Sequence, residues 1–118
     1  MKPENSNLCD VADLNVTLER LDGDRDLLRE LADLYIADYP GQLQNLFDAV
    51  EAGDIERIKR VAHKIKGTAW SFGAKPACAV ATRLEDSKEI ADGKNATALA
   101  KHLSNELTRL HVALEEFL

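Results

Sequence analysis

An all-α fold is what this 118-residue chain predicts, as an antiparallel up-down four-helix bundle with a short extra N-terminal helix. Three observations carry the expectation. Leucine (17) and alanine (16) outnumber valine plus isoleucine (11), and aromatics make up only 5%, a balance that favours helix over strand. Apolar residues recur at steps of three and four through the long segments. The links between those segments are short, which makes successive helices antiparallel neighbours.

Residues 1–11 read as a flexible polar leader, and 12–118 as one helical domain. A short helix is expected at 13–21, with Asp13 as its N-cap and Leu14, Leu18 and Leu21 on one side. Asp22-Gly23-Asp24 makes the turn into a helix over 25–52, whose inward residues are Leu28, Leu31, Tyr35, Leu43, Leu46, Phe47 and Val50. Pro40 removes a backbone donor and disfavours helical geometry at Tyr39, so a kink or brief break is expected there. Gly53 stops that helix and Asp54 caps the next, 55–72. Gly73-Ala74-Lys75-Pro76 is a tight link, and Pro76 suits the first turn of a helix over 76–91 with Val80, Ala81 and Leu84 inward. After a loop at Asp92-Gly93-Lys94, with Asn95 as candidate cap, the last helix (96–117) carries Leu99, Leu103, Leu107, Leu110, Leu114 and Phe117 on one stripe.

Composition bounds the function. The chain is long enough to bury around two-thirds of its unfolded surface in one core. A net charge of −6 and a pI near 5.0 argue against nucleic acid or an anionic membrane as the main partner. Cys9 and Cys78 form neither a disulfide framework nor a zinc motif, and Cys78 among small apolar residues reads as a core residue. The start, Met1-Lys2-Pro3-Glu4, has no apolar run, so a cytoplasmic setting is expected.

The helix at 55–72 holds the most chemistry. Its buried stripe is Ile55, Ile58, Ala62, Ile65, Ala69 and Phe72. At about 100° per residue, His63 points roughly 130° away from the middle of that stripe. It shares the outward side with Glu56, Lys59, Arg60, Lys66, Gly67 and Trp70. Lys66 lies three residues on and Gly67 four, so both are surface neighbours of His63. Glycine in a helix interior costs about 1 kcal/mol relative to alanine. No core packing demands it at position 67, so its reason is close approach by another molecule or, as the alternative, the beginning of the helix's end. A neutral imidazole is a competent nucleophile near neutral pH. Phosphoryl transfer to it needs mainly positioning and electrostatic stabilisation, which Lys66, Lys59 and Lys64 are placed to supply.

The run Ala62-His63-Lys64-Ile65-Lys66-Gly67-Thr68-Ala69-Trp70-Ser71-Phe72-Gly73-Ala74 resembles the signature of histidine-containing phosphotransfer (HPt) domains. The Asp22-Gly23-Asp24 turn, Pro40-Gly41, Ala52-Gly53-Asp54 and Arg83-Leu84-Glu85 fit the same pattern. The departures are a bulky Trp70 and Pro76 at the start of the next helix. The resemblance implies a four-helix bundle and a phosphorelay intermediate. In it, His63 takes a phosphoryl group from a receiver-domain aspartate or a kinase and passes it to another response-regulator aspartate. It implies receiver domains and a hybrid sensor histidine kinase as partners and a monomeric carrier. It also implies no cofactor on this chain, with Mg²⁺ held by the receiver's own carboxylates.

In the bundle that this implies, His63 and Glu85 lie at similar height on antiparallel neighbours, and Glu85 is placed to orient a ring N–H. Gln42 or Gln44 of the preceding helix come to the same level, and with Arg60 and Trp70 are the candidate partner contacts. His102 and His111 lack the lysine-glycine context, and His63, His102 and His111 on different faces do not form a metal site. No phosphate-binding G-x-x-x-x-G-K-[ST] loop or nucleophile elbow is present, which excludes a self-contained kinase or hydrolase. Two other readings stay open: a helical binding module that is never phosphorylated, and the substrate domain of a chemotaxis-type histidine kinase.

Overall fold

The structure, a computed structural model, describes residues 11–118. The expected leader up to residue 10, with Cys9, lies outside the described residues. Six helices follow in order: α1 Leu14–Arg20, α2 Arg25–Ala52, α3 Ile55–Ser71, α4 Lys75–Leu84, α5 Ser87–Ile90 and α6 Gly93–Phe117. α2, α3, α4 and α6 form a ring in which α3 packs between α2 and α4, and α6 closes the circle against both. This is the antiparallel four-helix bundle with a short helix before it. The 28 residues of α2 span about 42 Å at 1.5 Å per residue.

The apolar stripes meet in one core. Leu28, Leu46, Ile58, Ile65, Leu84, Leu103, Leu107, Leu110 and Leu114 are almost completely enclosed. Each such side chain contributes about 1.5–3 kcal/mol relative to leaving it in water. Leu18, Leu21, Leu31, Phe47, Val50, Ile55, Cys78 and Phe117 pack half-buried around this centre. Asp13, Asp24 and Asp54 each accept a backbone N–H of the first turn of α1, α2 and α3, so the N-caps read from sequence hold.

Three expectations are corrected. Pro40 does not interrupt α2, which runs unbroken through it. The ring lies on the exposed side, while Tyr39 is held in the core. Its ring stacks on Tyr35 at 4.7 Å and its hydroxyl lies 2.8 Å from Nδ1 of His111. Tertiary packing overrides the local preference. Residues 76–91 are not one helix: α4 ends at Leu84, and Asp86 takes an extended conformation and caps α5 by accepting from Lys88 N at 2.9 Å. The last helix begins at Gly93 with Asp92 as its cap, accepting from Lys94 N at 2.9 Å. Asn95 is therefore already inside the helix, and its amide turns back to Glu89.

The α3–α4 link sets how the two site-bearing helices face each other. Gly73 has φ 64°, and the amides of Gly73 and Ala74 return to the Trp70 and Ala69 carbonyls at 2.9 and 3.0 Å, the paired bonds of a Schellman ending. A Cβ at Gly73 would lie 3.2 Å from both N and Cβ of Asp13, whose amide bonds the Gly73 carbonyl. Thr17 of α1 also reaches the Ser71 carbonyl at 3.3 Å, so α1 clamps this end of the bundle.

The two glycines near the site should respond oppositely to alanine. Gly73→Ala is expected to lower unfolding stability by about 1–2 kcal/mol through its left-handed backbone and the crowding at Asp13. Gly67→Ala, with nothing within 4 Å of the new carbon, is expected to raise it by up to about 1 kcal/mol. Urea unfolding followed by circular dichroism reads both signs.

Candidate functional site

α3 turns Ile58, Val61, Ala62, Ile65 and Ala69 into the core, and its opposite side carries His63. The His63 side chain is 73% exposed. Its surroundings come from α3 itself and from the end of α4. Because α4 stops at Leu84, Glu85 stands at its C-terminal boundary with backbone φ −90° and ψ −6°. From there its carboxylate reaches across to α3.

That carboxylate is shared. Oε2 of Glu85 lies 2.7 Å from Nδ1 of His63, and Oε1 takes the Lys66 ammonium in a direct ion pair. Burial alone would raise the Glu85 carboxyl. The hydrogen bonds from Lys66 and His63, helped by their charges, outweigh it and hold the carboxyl below its ordinary value. Glu85 is thus ionised at neutral pH and can only accept. The proton in the contact therefore belongs to the imidazole, on Nδ1. The sign of the linkage follows: the interaction is present above the ordinary carboxyl pKa and is lost as pH falls through the lowered one. With Nδ1 engaged, Nε2 is the ring nitrogen left without a hydrogen-bond partner among the described residues.

Lys66 sits against Glu85, so its charge reaches the imidazole through the common carboxylate. Lys59, one turn before His63, donates to the Ser87 hydroxyl at 3.1 Å. Lys64 and Arg60 are exposed and form no ion pair among the described residues. Gly67 opens a clearing beside His63, with nothing within 4 Å of where a Cβ would stand. Trp70, 60% exposed, flanks that clearing.

The two glutamines are not brought to the imidazole. Gln42 donates to Asp38 at 2.8 Å and Gln44 to Asp48 at 2.9 Å, each one turn along α2, so both side chains are satisfied on their own helix. Gln42 does line a groove of about 200 Å³ between α2 and α3, with Leu34, Tyr35, Thr68 and Ser71 among its walls. Leu34, 67% exposed at its rim, is a surface feature that the periodicity alone does not single out.

The other histidines do different work. His111 joins Tyr39 to Glu115, 3.2 Å from its Nε2, and His102 lies 3.5 Å from the buried Glu106. No three His, Cys, Asp or Glu side chains cluster to hold a metal ion among the described residues. Burial, against an opposing pull from Lys66, raises the Cys78 thiol, which packs with its sulfur 3.7 Å from the Lys66 carbonyl.

Residues 30–113 match the family model of the Hpt domain. The chain belongs to the Hpt domain family. Its fold is also that of a crystallised histidine-containing phosphotransfer protein B (HptB) from Pseudomonas aeruginosa PAO1, with a TM-score of 0.80 and 24% identity over 90% of this chain and 92% of that one. Comparison with curated proteins finds no significant match. As an Hpt domain, the chain takes part in histidine phosphotransfer in two-component signalling. No helix among the described residues is long and apolar enough to cross a membrane.

The shared carboxylate makes a specific forecast. Glu85→Ala is expected to move the His63 ring proton from Nδ1 toward Nε2, because the acceptor that selects the tautomer is gone. Nitrogen-15 shifts of the two ring nitrogens report this directly. An unchanged tautomer ratio would show that Glu85 does not set it.

Proposed function

We propose that His63 is the phosphoryl acceptor and donor of this Hpt domain, in a relay between receiver-domain aspartates. One observation carries the reading: an exposed imidazole whose Nδ1 is tied to an ionised carboxylate while Nε2 faces solvent beside an empty clearing. In the forward step the Nε2 lone pair attacks phosphorus, the P–O bond to the receiver's aspartate breaks, and the aspartate leaves as a carboxylate. The Nδ1 proton stays where it is. The ring becomes a phosphorylated imidazolium, and Glu85 offsets its new charge. In the return step a second receiver's carboxylate attacks phosphorus and the P–Nε2 bond breaks, which restores the neutral ring with its proton still on Nδ1.

The remaining residues support approach and charge. Lys66, Lys59 and Lys64 put three ammonium groups on or near the face that meets the phosphoryl oxygens, where preorganised charge lowers the barrier to transfer. Lys66 also keeps Glu85 in place. Gly67 admits the partner's active-site loop, Trp70 and Arg60 border the surface it would cover, and Gln42 reaches its edge from the groove between α2 and α3. The cationic patch in a chain of net charge −6 complements a receiver pocket built from carboxylates. Mg²⁺ belongs on that receiver, and this chain needs no cofactor of its own. The partners are receiver domains and a hybrid sensor histidine kinase, met in the cytoplasm by a monomeric carrier.

Incubation with a phosphorylated receiver domain tests the assignment. Acid-labile, alkali-stable label is expected on the wild-type chain and none on His63→Gln. Label that persists in the variant would move the acceptor elsewhere, and label gained only from a kinase core would favour a chemotaxis-type substrate domain.

Gly67→Gln separates docking from folding. It is expected to leave thermal unfolding within a few degrees of wild type while slowing transfer at least tenfold, about 1.4 kcal/mol of barrier. Stopped-flow quenching at matched receiver concentrations reads the rate, and an unaltered rate would remove the clearing from the docking surface.

A further inference from the structure

The stretch from Glu85 to Asp92 contains the break between α4 and α5, and it begins with the residue that holds the imidazole. A single side chain ties its two flanks together. Glu89 takes the Arg83 guanidinium as a fork, Nε to Oε2 at 2.9 Å and Nη2 to Oε1 at 3.1 Å. On its other side the Asn95 amide donates to the Glu89 carbonyl at 2.7 Å and to Oε1 at 3.0 Å. Arg83 is on the last turn of α4, two residues before Glu85, and Asn95 is on the first turn of α6. None of the three touches His63.

We propose that Glu89, joined to Arg83 and Asn95, is a positioning residue for the phosphotransfer site, acting on His63 through Glu85. This rests on the reading of His63 and Glu85 given above. The physical case is conformational. An isolated exposed ion pair contributes little, but a two-pronged arginine–carboxylate fork inside a network is the geometry in which such pairs count. Here the fork has a second effect. The guanidinium is consumed by Glu89, which keeps a strong five-donor cation from competing with His63 and Lys66 for Glu85 two residues away. The Asn95 bonds anchor the same carboxylate and the α5 backbone to α6, one of the long helices of the bundle. Without that anchor, the stretch after Glu85 keeps the Asp86 cap, the Lys59–Ser87 bond and the buried Ile90, but loses its side-chain tie to α6. The Glu85 contact, made from the helix end, then samples more conformations and spends less time on Nδ1.

Rigid placement matters because the tautomer is chosen by this single contact. Each excursion of Glu85 lets the ring proton move to Nε2, the atom that must be unprotonated to attack phosphorus. The brace therefore affects the fraction of reactive imidazole without contacting any reacting atom.

The test compares Glu89→Ala, Asn95→Ala and Glu85→Ala in the full chain, by nitrogen-15 shifts of the His63 ring and by the rate of transfer from a phosphorylated receiver. Glu89→Ala is expected to shift the ring proton toward Nε2 and to slow transfer about three- to tenfold, with circular dichroism unchanged. Asn95→Ala, which keeps the Arg83 fork but removes both bonds to α6, should give an effect of the same sign, and Glu89→Gln should lose less than Glu89→Ala. A Glu89→Ala ring identical to wild type, while Glu85→Ala shifts it, overturns the brace and leaves the Glu85 assignment standing. If Glu85→Ala leaves the ring unaltered, the underlying reading fails and the brace falls with it. If Glu89→Ala slows transfer without moving the ring proton, the effect does not run through Glu85 and the proposal is likewise overturned.

Discussion

Burial of one face of α3 is the constraint on which the rest depends. Ile58, Ala62, Ile65 and Ala69 are sealed between α2 and α4, and a helix fixed along one stripe has no freedom left to rotate. His63, on the opposite side, is thereby held outward at no cost to its own solvation. The same locking delivers Lys66 to the border with α4 and leaves Gly67 and Trp70 on the open side. A site of this kind needs no cavity. It is a presented side chain on a rigid support, which is the more precise way to hold a reacting group.

What the support does not supply is the choice of nitrogen. An exposed imidazole in water samples both tautomers, and a neighbour that accepts from one nitrogen shifts the balance between them. Glu85 provides the asymmetry by accepting from Nδ1, and Lys66 keeps it charged by sharing the other oxygen. Lys66 is itself partnered by Glu85, so its charge is partly neutralised. The site thus presents moderate positive charge rather than a bare cluster of cations.

The pattern of α3 and its caps was legible because it is local. Apolar period, an aspartate N-cap and a glycine after the last turn are set by residues a few positions apart, and Asp54 and Gly73 act as their types require. Three places were not legible. Tyr39 stays helical beside Pro40 because it is anchored by Tyr35 and by His111, which is 72 residues away. The break after Leu84 appears where Asp86 can cap a new turn, yet nothing in the run Leu84-Glu85-Asp86-Ser87 forbids a continuous helix. Asn95 reads as a cap by type, and only the neighbouring Asp92, which captures that role first, releases it to bind Glu89.

The amino-acid order alone determined that the chain is helical, where four of the helices begin, and which side of α3 faces water. Those properties follow from propensity and periodicity within a few turns. Tertiary structure decided which groups meet across helices: that Glu85 reaches Nδ1, that Lys66 spends its charge on Glu85, and that the two glutamines stay on α2. Such contacts depend on the angle and height at which antiparallel helices pack. Those are set by the sum of many core side chains and by the turn at Gly73, where Asp13 crowds the place a Cβ would take, and no local run of residues encodes them.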